Sequence, residues 1–302
     1  MNIKIRRTSL STLIRLQALR NLVDDLLTAV SFATVTLLLI TALVTSILIN
    51  IGVIPQDIYA GIDLSKRLQQ PSLEHPFGTD HLGRDILIRI IFGTRVVVYV
   101  ISVAVAISIL IGTSIGLVAG YLGGSVDVVV SRVIDAIMCF PAVLLALSIV
   151  TILGPGIENV VIAIGIAESP VFARLARGLV IVEKEKLYVE AARAIGAGRT
   201  RILLKHIFPN IAGSILVQAT FTASSAILWE AALSFLGLGT QPPTPSWGLM
   251  LYEAKDYMRI APHAVIFPGL AIFFLVLNIN ILGEKLRDLI DPRYRALMTR
   301  FR

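Results

Sequence analysis

The chain has 302 residues, of which 56% are hydrophobic and only 16% are charged. Roughly a quarter of the residues in an ordinary soluble domain are charged, so this chain has too few charges to coat a surface that faces water. The composition therefore excludes a soluble globular protein and favours one whose solvent is the lipid bilayer.

Residues 1–28 open with a basic stretch that precedes a long apolar run. The run is too long for the core of a secretory signal and no clear cleavage site follows it, so we predict an uncleaved first span. Within residues 9–23, apolar side chains recur at helical spacing, which favours a helix lying on the cytoplasmic face of the membrane. A disordered tail is the alternative.

Five runs without Asp, Glu, Lys or Arg are long enough to cross the hydrocarbon core as a helix, which takes roughly 20 residues. These runs cover residues 26–56, 96–126, 136–157, 208–229 and 260–283. A sixth apolar run is interrupted by Glu168 and Pro170, and its final turns are expected to leave the membrane. We therefore predict an all-α integral membrane protein with about six transmembrane helices, over residues 29–54, 96–120, 133–154, 159–182, 210–232 and 261–283.

The segments around the spans differ in character. Residues 55–95 are predicted to form an extracytoplasmic segment, and residues 96–293 a helical core that contains the last five spans. Within the core, the charged residues 183–209 are too polar to cross the bilayer, and residues 294–302 form a predicted cytoplasmic tail. The single cysteine, Cys139, lies inside the third predicted span, which excludes a disulfide framework and indicates a packing role.

The distribution of Lys and Arg predicts the orientation, because cytoplasmic loops carry an excess of these residues. With six spans, both termini lie on the same side of the membrane. That side carries 20 of the 27 Lys and Arg residues, so we predict that both termini are cytoplasmic. The net charge of +7 then needs no nucleic-acid partner to explain it.

The segment 183–209 favours helix, and we interpret it as a cytoplasmic helical hairpin. Spacings of three and four residues on its first helix predict a face of small and apolar side chains, which another surface can approach closely. This face consists of Tyr188, Ala191, Ala192 and Ile195, flanked by Glu190 and Arg193. We expect the corner at Gly196 and Gly198, since glycine permits a turn that a Cβ would resist. The second helix is predicted from Thr200 to Pro209.

This hairpin carries a pattern that resembles the EAA motif of ABC importer permeases. The pattern comprises Glu190, Ala191, Ala192, Gly196, Ile207 and Pro209. The general family pattern has nine residues between the glycine and the isoleucine, whereas this chain has ten. Its ending, from His206 to Asn210, instead resembles the dipeptide and oligopeptide branch of the family.

Three further segments resemble that branch and occur in its order along the chain. They cover residues 75–85 with the triplet 93–95, residues 233–248, and residues 286–293. The resemblance thus extends from about residue 75 to residue 293. It identifies the chain as similar to the C-type permease subunit of a dipeptide or oligopeptide importer, with the type I ABC importer permease fold.

The resemblance implies a mechanism and a set of partners. The segment from Tyr188 to Gly196 would be the coupling helix, which docks on a cytoplasmic ATPase. ATP and magnesium would be bound by two ATPase subunits, so this chain is expected to bind no cofactor. A homologous second permease, an extracytoplasmic substrate-binding protein and membrane lipid are the other expected partners, in the plasma membrane. Closely similar permeases carry nickel chelates, glutathione or short oligosaccharides, so these remain alternatives to a peptide.

The residues themselves give no sign of catalysis. Gly78 to Asp85 superficially resembles a phosphate-binding loop, but Arg84 and Asp85 replace the Lys and Ser or Thr that contact phosphate and magnesium. The four histidines are scattered over both sides of the membrane, so we expect no metal site built from them. We therefore predict that the chain is not an enzyme.

Glu168 stands out in the membrane, since a charge near the middle of a span costs roughly 2.5–3.5 kcal/mol on insertion scales. One interpretation is that Glu168, Ser169 and Pro170 line the transport pathway, where Pro170 would kink a helix at a moving gate. The other is a protonated or paired carboxyl that only holds helices together. A proton-coupled secondary transporter that uses Glu168, and a membrane scaffold or receptor that transports nothing, are the alternative functions.

Three further features of the spans and loops can be interpreted. Small residues in the second span predict close helix packing rather than substrate contacts; they are Gly112, Ser114, Gly116, Ala119 and Gly120. Glu230 and Trp229 are expected near the outer end of the fifth span, where an aromatic side chain anchors a helix at the interface. The Pro-rich stretch 241–247 predicts a rigid outer loop, which either meets a binding protein or plugs the bundle.

Overall fold

The computed structural model describes residues 8–53, 55 and 57–290, with side chains from Leu26 onward. Among these residues every regular element is helical, and extended backbone pairs only in an isolated bridge between Thr79 and Asp85. The predicted all-α class is confirmed. The predicted tail over 294–302 and the end of the last motif, at Arg293, lie outside the described residues.

Eleven α-helices occur in the described part of the chain. In order they are α1 (Thr8–Asn50), α2 (Asp57–Ala60), α3 (Ile86–Leu122), α4 (Gly124–Met138), α5 (Ala142–Leu153), α6 (Ile157–Glu183), α7 (Leu187–Ala194), α8 (Arg199–Arg201), α9 (Phe208–Phe235), α10 (Trp247–Ala254) and α11 (His263–Ile290). Five of them, namely α1, α3, α6, α9 with the turns before it, and α11, are long and apolar enough to cross a membrane. A sixth span results when α4 and α5 are counted together.

The predicted surface helix over 9–23 is not a separate element, because α1 runs without a break from Thr8 to Asn50. The second span also begins earlier than predicted. Asp85 accepts a hydrogen bond from the Ile88 amide at 2.9 Å and so caps α3, which starts at Ile86 rather than near residue 96. The predicted boundary was wrong because charged side chains lie inside the first turns of α3.

The third predicted span, over 133–154, is not a straight helix. α4 ends at Met138 and α5 begins at Ala142, and the two axes differ by 86°. Pro141 at this junction lacks an amide donor and disfavours the helical conformation for the residue before it, which explains the break. Cys139 is exposed at the break, so the packing role predicted from a continuous span is not met.

The second arm of the hairpin continues directly into α9. A π-helical turn, Ile202–Ile207, follows α8 and joins α9 at Phe208. Pro209 lies in the first turn of α9, directly after the π-helical turn, and has no amide donor for the helical hydrogen bonding there. The predicted second helix over Thr200 to Pro209 is therefore the start of the longer membrane helix.

The centre of the bundle is the contact between α3 and α6, which depends on glycine. A Cβ added to Gly112 would lie 2.2 Å from the Ser169 carbonyl oxygen, and one on Gly116 would lie 2.4 Å from that of Ala173. One helical turn further along, a Cβ on Gly120 would lie 2.8 Å from the Arg177 carbonyl oxygen. The two backbones thus touch over three turns, and the packing role predicted for these glycines is confirmed.

We predict that Gly116→Ala destabilises the chain, whereas Gly178→Ala does not. The methyl group at 116 overlaps the α6 backbone, and overpacking of this kind costs about 1–3 kcal/mol. A Cβ at Gly178, on α6 itself, would meet nothing within 4 Å, and alanine there is favoured by about 0.5–1 kcal/mol in a helix. Thermal unfolding of both purified variants in the same detergent measures the difference. Equal midpoints would contradict the close contact.

Candidate functional site

Tyr188 fixes the base of the hairpin to two membrane helices. Its hydroxyl donates a hydrogen bond to Glu183 Oε1 at 2.6 Å, at the end of α6, and accepts one from Asn210 Nδ2 at 3.2 Å, in α9. Desolvation and the hydrogen bond to Glu183 raise the pKa of Tyr188 to about 12. The phenol therefore keeps its proton, and continues to donate, throughout the physiological pH range.

α7 presents two different faces. Val189 and Ala192 are buried in a cluster with the apolar side chains of the second arm. On the other side Ala191 is exposed, as are Leu187 and Ile195, whose exposed fractions are 81% and 84%. These three residues are spaced by four and so lie on one side of the helix. The prediction that Ala192 shares the open face with Ala191 is therefore wrong, and sequence analysis missed Leu187.

The corner of the hairpin requires one glycine rather than two. Gly196 has φ +82°, in the left-handed region, and a Cβ there would meet no atom within 4 Å. Gly198 has an ordinary φ of −67° and caps α8. Backbone conformation, not space, therefore favours glycine at Gly196. Glu190 is exposed in the first turn of α7.

The three candidate residues in the membrane point in different directions. Glu168 is 6% exposed, and its Oε2 accepts a hydrogen bond from Thr222 Oγ1 of α9 at 3.4 Å. Ser169 and Pro170 instead line an apolar cavity of about 280 Å³ against α3 and α4. Ser169 Oγ donates to the Ile166 carbonyl at 2.8 Å, and α6 continues through Pro170 without ending. Glu168 thus lies inside this chain, between α6 and α9.

The hairpin and Glu168 are separate sites that α6 connects. Fifteen residues divide Glu168 from Glu183, which corresponds to about 22 Å along α6. A continuous helix nevertheless joins them, so a displacement of the hairpin acts directly on the membrane part of α6.

A buried ion network at the opposite end of α3 was not predicted. Asp80 accepts from Arg84 Nε at 2.7 Å and also from Arg89, and Glu253 accepts from both arginines at 2.8 Å. Arg89 is 1% exposed. The signal available in the sequence was an arginine within the apolar start of α3, where an unpaired charge would be too costly.

This network joins the segment before α3 to α10. Burial acts to raise the pKa of Asp80, but the charges of Arg89 and Arg84 outweigh it and hold the pKa below the ordinary value. Asp80, His81 and Glu253 could converge geometrically on a metal ion. Both carboxylates already face guanidinium groups, however, and desolvation lowers the pKa of His81. The arrangement is that of an ion network rather than a metal site.

The Pro-rich loop over residues 241–247 is exposed at its start and buried at its end. Residues 241–244 are exposed, whereas Ser246 is buried and caps α10 by accepting from the Leu249 amide at 3.1 Å. Trp247 is also buried and donates to the Ile90 carbonyl at 3.0 Å. Glu230 is 2% exposed and accepts from Ser234 Oγ at 2.7 Å. Thr240 Oγ1 also donates to Glu230, at 3.4 Å, so Glu230 joins the end of α9 to the loop that follows, in agreement with its predicted structural role.

Comparison with known proteins places this arrangement in context. Residues 112–296 match a family described as binding-protein-dependent transport system inner membrane component. The dipeptide transport system permease protein DppC of Alkalihalophilus pseudofirmus is 46% identical over 238 residues, which are 79% of this chain and 78% of that protein. The glutathione transport system permease protein GsiD of Pectobacterium atrosepticum is 45% identical over 242 residues, or 80% of each chain.

A solved structure shares the fold. The inward-facing MetNI methionine ABC transporter aligns with a TM-score of 0.56 and 18% identity, over 68% of this chain and 96% of the compared chain. The sequence identity is low, so the likeness concerns the fold. It supports the type I importer permease fold predicted from the motifs.

We predict that Arg89→Leu strongly destabilises the end of the bundle opposite the hairpin, while Lys66→Met has little effect. Removal of Arg89 leaves buried carboxylates without one of their partners, a loss of about 3–5 kcal/mol. Lys66 pairs with the exposed Glu74 at 2.6 Å, and exposed pairs contribute about 0–1 kcal/mol. Thermal unfolding and limited proteolysis within residues 57–85 measure both variants.

The same network predicts a pH dependence. Because the folded pKa of Asp80 lies below its ordinary value of 3.8, the stabilisation is complete above that value and is lost as pH falls through the folded pKa. The wild-type chain should therefore lose more stability below about pH 4 than Arg89→Leu does. If acid titration lowers the stability of the two proteins by the same amount, the assignment is contradicted.

Proposed function

The chain belongs to the family of inner-membrane components of binding-protein-dependent transport systems and is a permease subunit of an ABC importer, and we propose that its cargo is a short peptide. Two of its relatives are named as permeases for a dipeptide and for glutathione, and each matches about four fifths of this chain. Glutathione is itself a small peptide, so a dipeptide, an oligopeptide and glutathione form one substrate class. Nickel chelates and short oligosaccharides are the less favoured cargoes.

The observation that carries the mechanism is the open face of α7 at the end of a continuous α6. Leu187, Ala191 and Ile195 offer apolar contacts to a partner, and the buried side of α7 holds the hairpin to the bundle. In the proposed mechanism, an ATPase subunit docks on this face and moves it when ATP binds. α6 and α9 transmit the movement, because Tyr188 is hydrogen-bonded to both helices.

The remaining components follow from this assignment. Two cytoplasmic ATPase subunits would bind ATP and magnesium, and a homologous second permease would complete the pathway. A substrate-binding protein would deliver cargo at the outer end, where the exposed residues 241–244 lie. We place both termini and the hairpin in the cytoplasm of a plasma membrane, in accordance with the excess of Lys and Arg there. Family membership favours this importer over a proton-coupled transporter that uses Glu168.

Reconstitution with the partner subunits tests the cargo. The tagged chain is purified gently from its native membrane, its co-purifying proteins are identified by mass spectrometry, and the complex is placed in proteoliposomes. We expect ATP-dependent uptake of dipeptides, and competition by glutathione or oligopeptides defines the range. Uptake of nickel chelates or oligosaccharides in place of any peptide would refute the proposed cargo, and transport without ATP would refute the importer mechanism.

We predict that Ala191→Trp abolishes the coupling of ATP hydrolysis to uptake while the chain still inserts and assembles. A bulky indole on the open face of α7 prevents close approach of a docked surface, and at least a tenfold loss of uptake is expected for an interface change of about 1.4 kcal/mol or more. Ala33→Trp, which places the same bulk on an exposed part of α1, is the matched control. Uptake and ATP hydrolysis are measured in the same proteoliposomes. Normal uptake by Ala191→Trp would remove the coupling role.

A further inference from the structure

A second groove, distinct from the predicted candidate residues, lies between α6, α9 and α11. It has a volume of about 500 Å³, and its wall includes Ser214, Val217, Gln218 and Phe221 of α9 together with Arg287 of α11. Arg287 lies one turn before the end of α11, and Ser214 lies two turns after the start of α9. The groove therefore occupies the half of the bundle next to the hairpin.

The four α9 residues form one stripe, since they are spaced at i, i+3, i+4 and i+7. The opposite stripe of α9 faces another groove of about 500 Å³, which α1 and α3 help to enclose. That stripe consists of Leu216, Ala219, Thr220 and Ala223, and its groove carries no charged residue. Of these two grooves, only the one that contains Arg287 combines hydroxyl, amide and guanidinium groups with apolar walls. Polar groups at membrane depth are expected to face an aqueous cavity, so this is the face suited to a polar cargo.

Arg287 is exposed on the wall of the groove. Among the described residues, no carboxylate forms an ion pair with it. Other arginines near this end of the bundle are engaged: Arg177 donates to Asp127 Oδ2 at 2.7 Å, and Arg174 donates to Asp135 Oδ1 at 2.6 Å. A guanidinium matches the planar geometry of a carboxylate and can donate two parallel hydrogen bonds to it.

Gln218 is held by a relay that starts at Glu168. Gln218 Nε2 donates to Thr222 Oγ1 at 3.5 Å, and that hydroxyl donates to Glu168 Oε2 at 3.4 Å. The relay orients the Gln218 amide and leaves its carbonyl oxygen and its second N–H for a ligand. Glu168 is buried behind this wall rather than on its surface, so it acts here as a positioning residue.

We propose that this groove is a peptide-contact site of the translocation pathway, in which Arg287 binds the C-terminal carboxylate and Gln218 pairs with the peptide backbone. The inference rests on the proposed peptide cargo and extends it to particular residues. Val217 and Phe221 supply apolar wall for side chains of varied shape, which suits a transporter that accepts many sequences. The site binds the backbone and the C-terminal carboxylate, which ordinary peptides share. A peptide that ends in a C-terminal amide lacks this carboxylate.

Photo-crosslinking in the reconstituted importer tests the site. The photoreactive residue p-benzoylphenylalanine replaces Phe221 in the groove or Leu216 on the opposite stripe of α9. Each complex then transports a radiolabelled dipeptide, supplied as the free acid or as the C-terminal amide. We expect crosslinking from position 221 and not from position 216, with a higher yield for the acid than for the amide.

Arg287→Gln, combined with the probe at 221, should lower the crosslinking yield of the acid by about tenfold to a hundredfold, the range for loss of a charge-assisted hydrogen bond. The yield of the amide should not change. Arg132→Gln, which removes an exposed charge of α4, is the control and should preserve the difference between acid and amide. Glu168→Gln should lower the yields of acid and amide together, because it disturbs Gln218 and not Arg287.

The outcomes separate this site from the proposed cargo. If the wild-type complex takes up no peptide, the cargo assignment fails and the site fails with it. If peptide uptake is normal but position 221 captures no peptide, or captures no more than position 216, the groove is not a contact site. Equal yields for acid and amide in the wild type, or an unchanged preference in Arg287→Gln, would overturn the role of Arg287.

Discussion

The direct contact between the backbones of α3 and α6 is the constraint on which the other features depend. Gly112, Gly116 and Gly120 allow α6 to lie against α3 with no side chain between them. This contact fixes the rotation of α6 and so directs Glu168 toward α9. It also joins two distant parts of the molecule, because α3 begins at the ion network and α6 ends at the hairpin. The ion network at the start of α3 and the hydrogen bonds of Tyr188 at the end of α6 thus adjoin the same pair of packed helices.

Against this rigid pair, α4 is a peripheral element. It meets α6 through two Arg–Asp ion pairs, Arg177 with Asp127 and Arg174 with Asp135, and the second pair is exposed at both ends. Ion pairs tolerate small displacements better than interlocked backbones do, because their long side chains can change rotamer. The 86° bend to α5 gives the same segment a second point of adjustment. Relative movement within this chain is therefore expected between α4 and the pair formed by α3 and α6.

Features that depend on composition and periodicity were predictable from the sequence. Contacts between particular pairs of residues were not. Long uncharged runs indicated the spans, and polarity and helix propensity predicted a helical segment over 183–209, where the structure has α7, α8 and the π-helical turn that leads into α9. The start of α3 was misplaced because Arg89 looked like solvent-exposed charge, whereas burial against Asp80 and Glu253, the latter more than 160 residues away, compensates it. Ala192 was misassigned because helical spacing alone does not determine which of two neighbouring stripes meets the bundle. Both errors concern contacts between distant segments, for which a single sequence contains no direct signal.

Glu168 illustrates how these levels combine. Its position in a span indicated an unusual residue, and the cost of a buried charge left two interpretations open. The structure gives it a partner in Thr222 and places it on the wall of neither groove beside α9, which accords with the helix-pairing interpretation, while the hydrogen bond that Gln218 donates to Thr222 extends its influence to a groove. Among the described residues, Glu168 has one neutral hydroxyl donor and no ion pair, so little stabilises a negative charge there in the membrane. Its contribution is therefore to orient its neighbours, and the polarity that a passing cargo would meet is provided by α9 and by the end of α11.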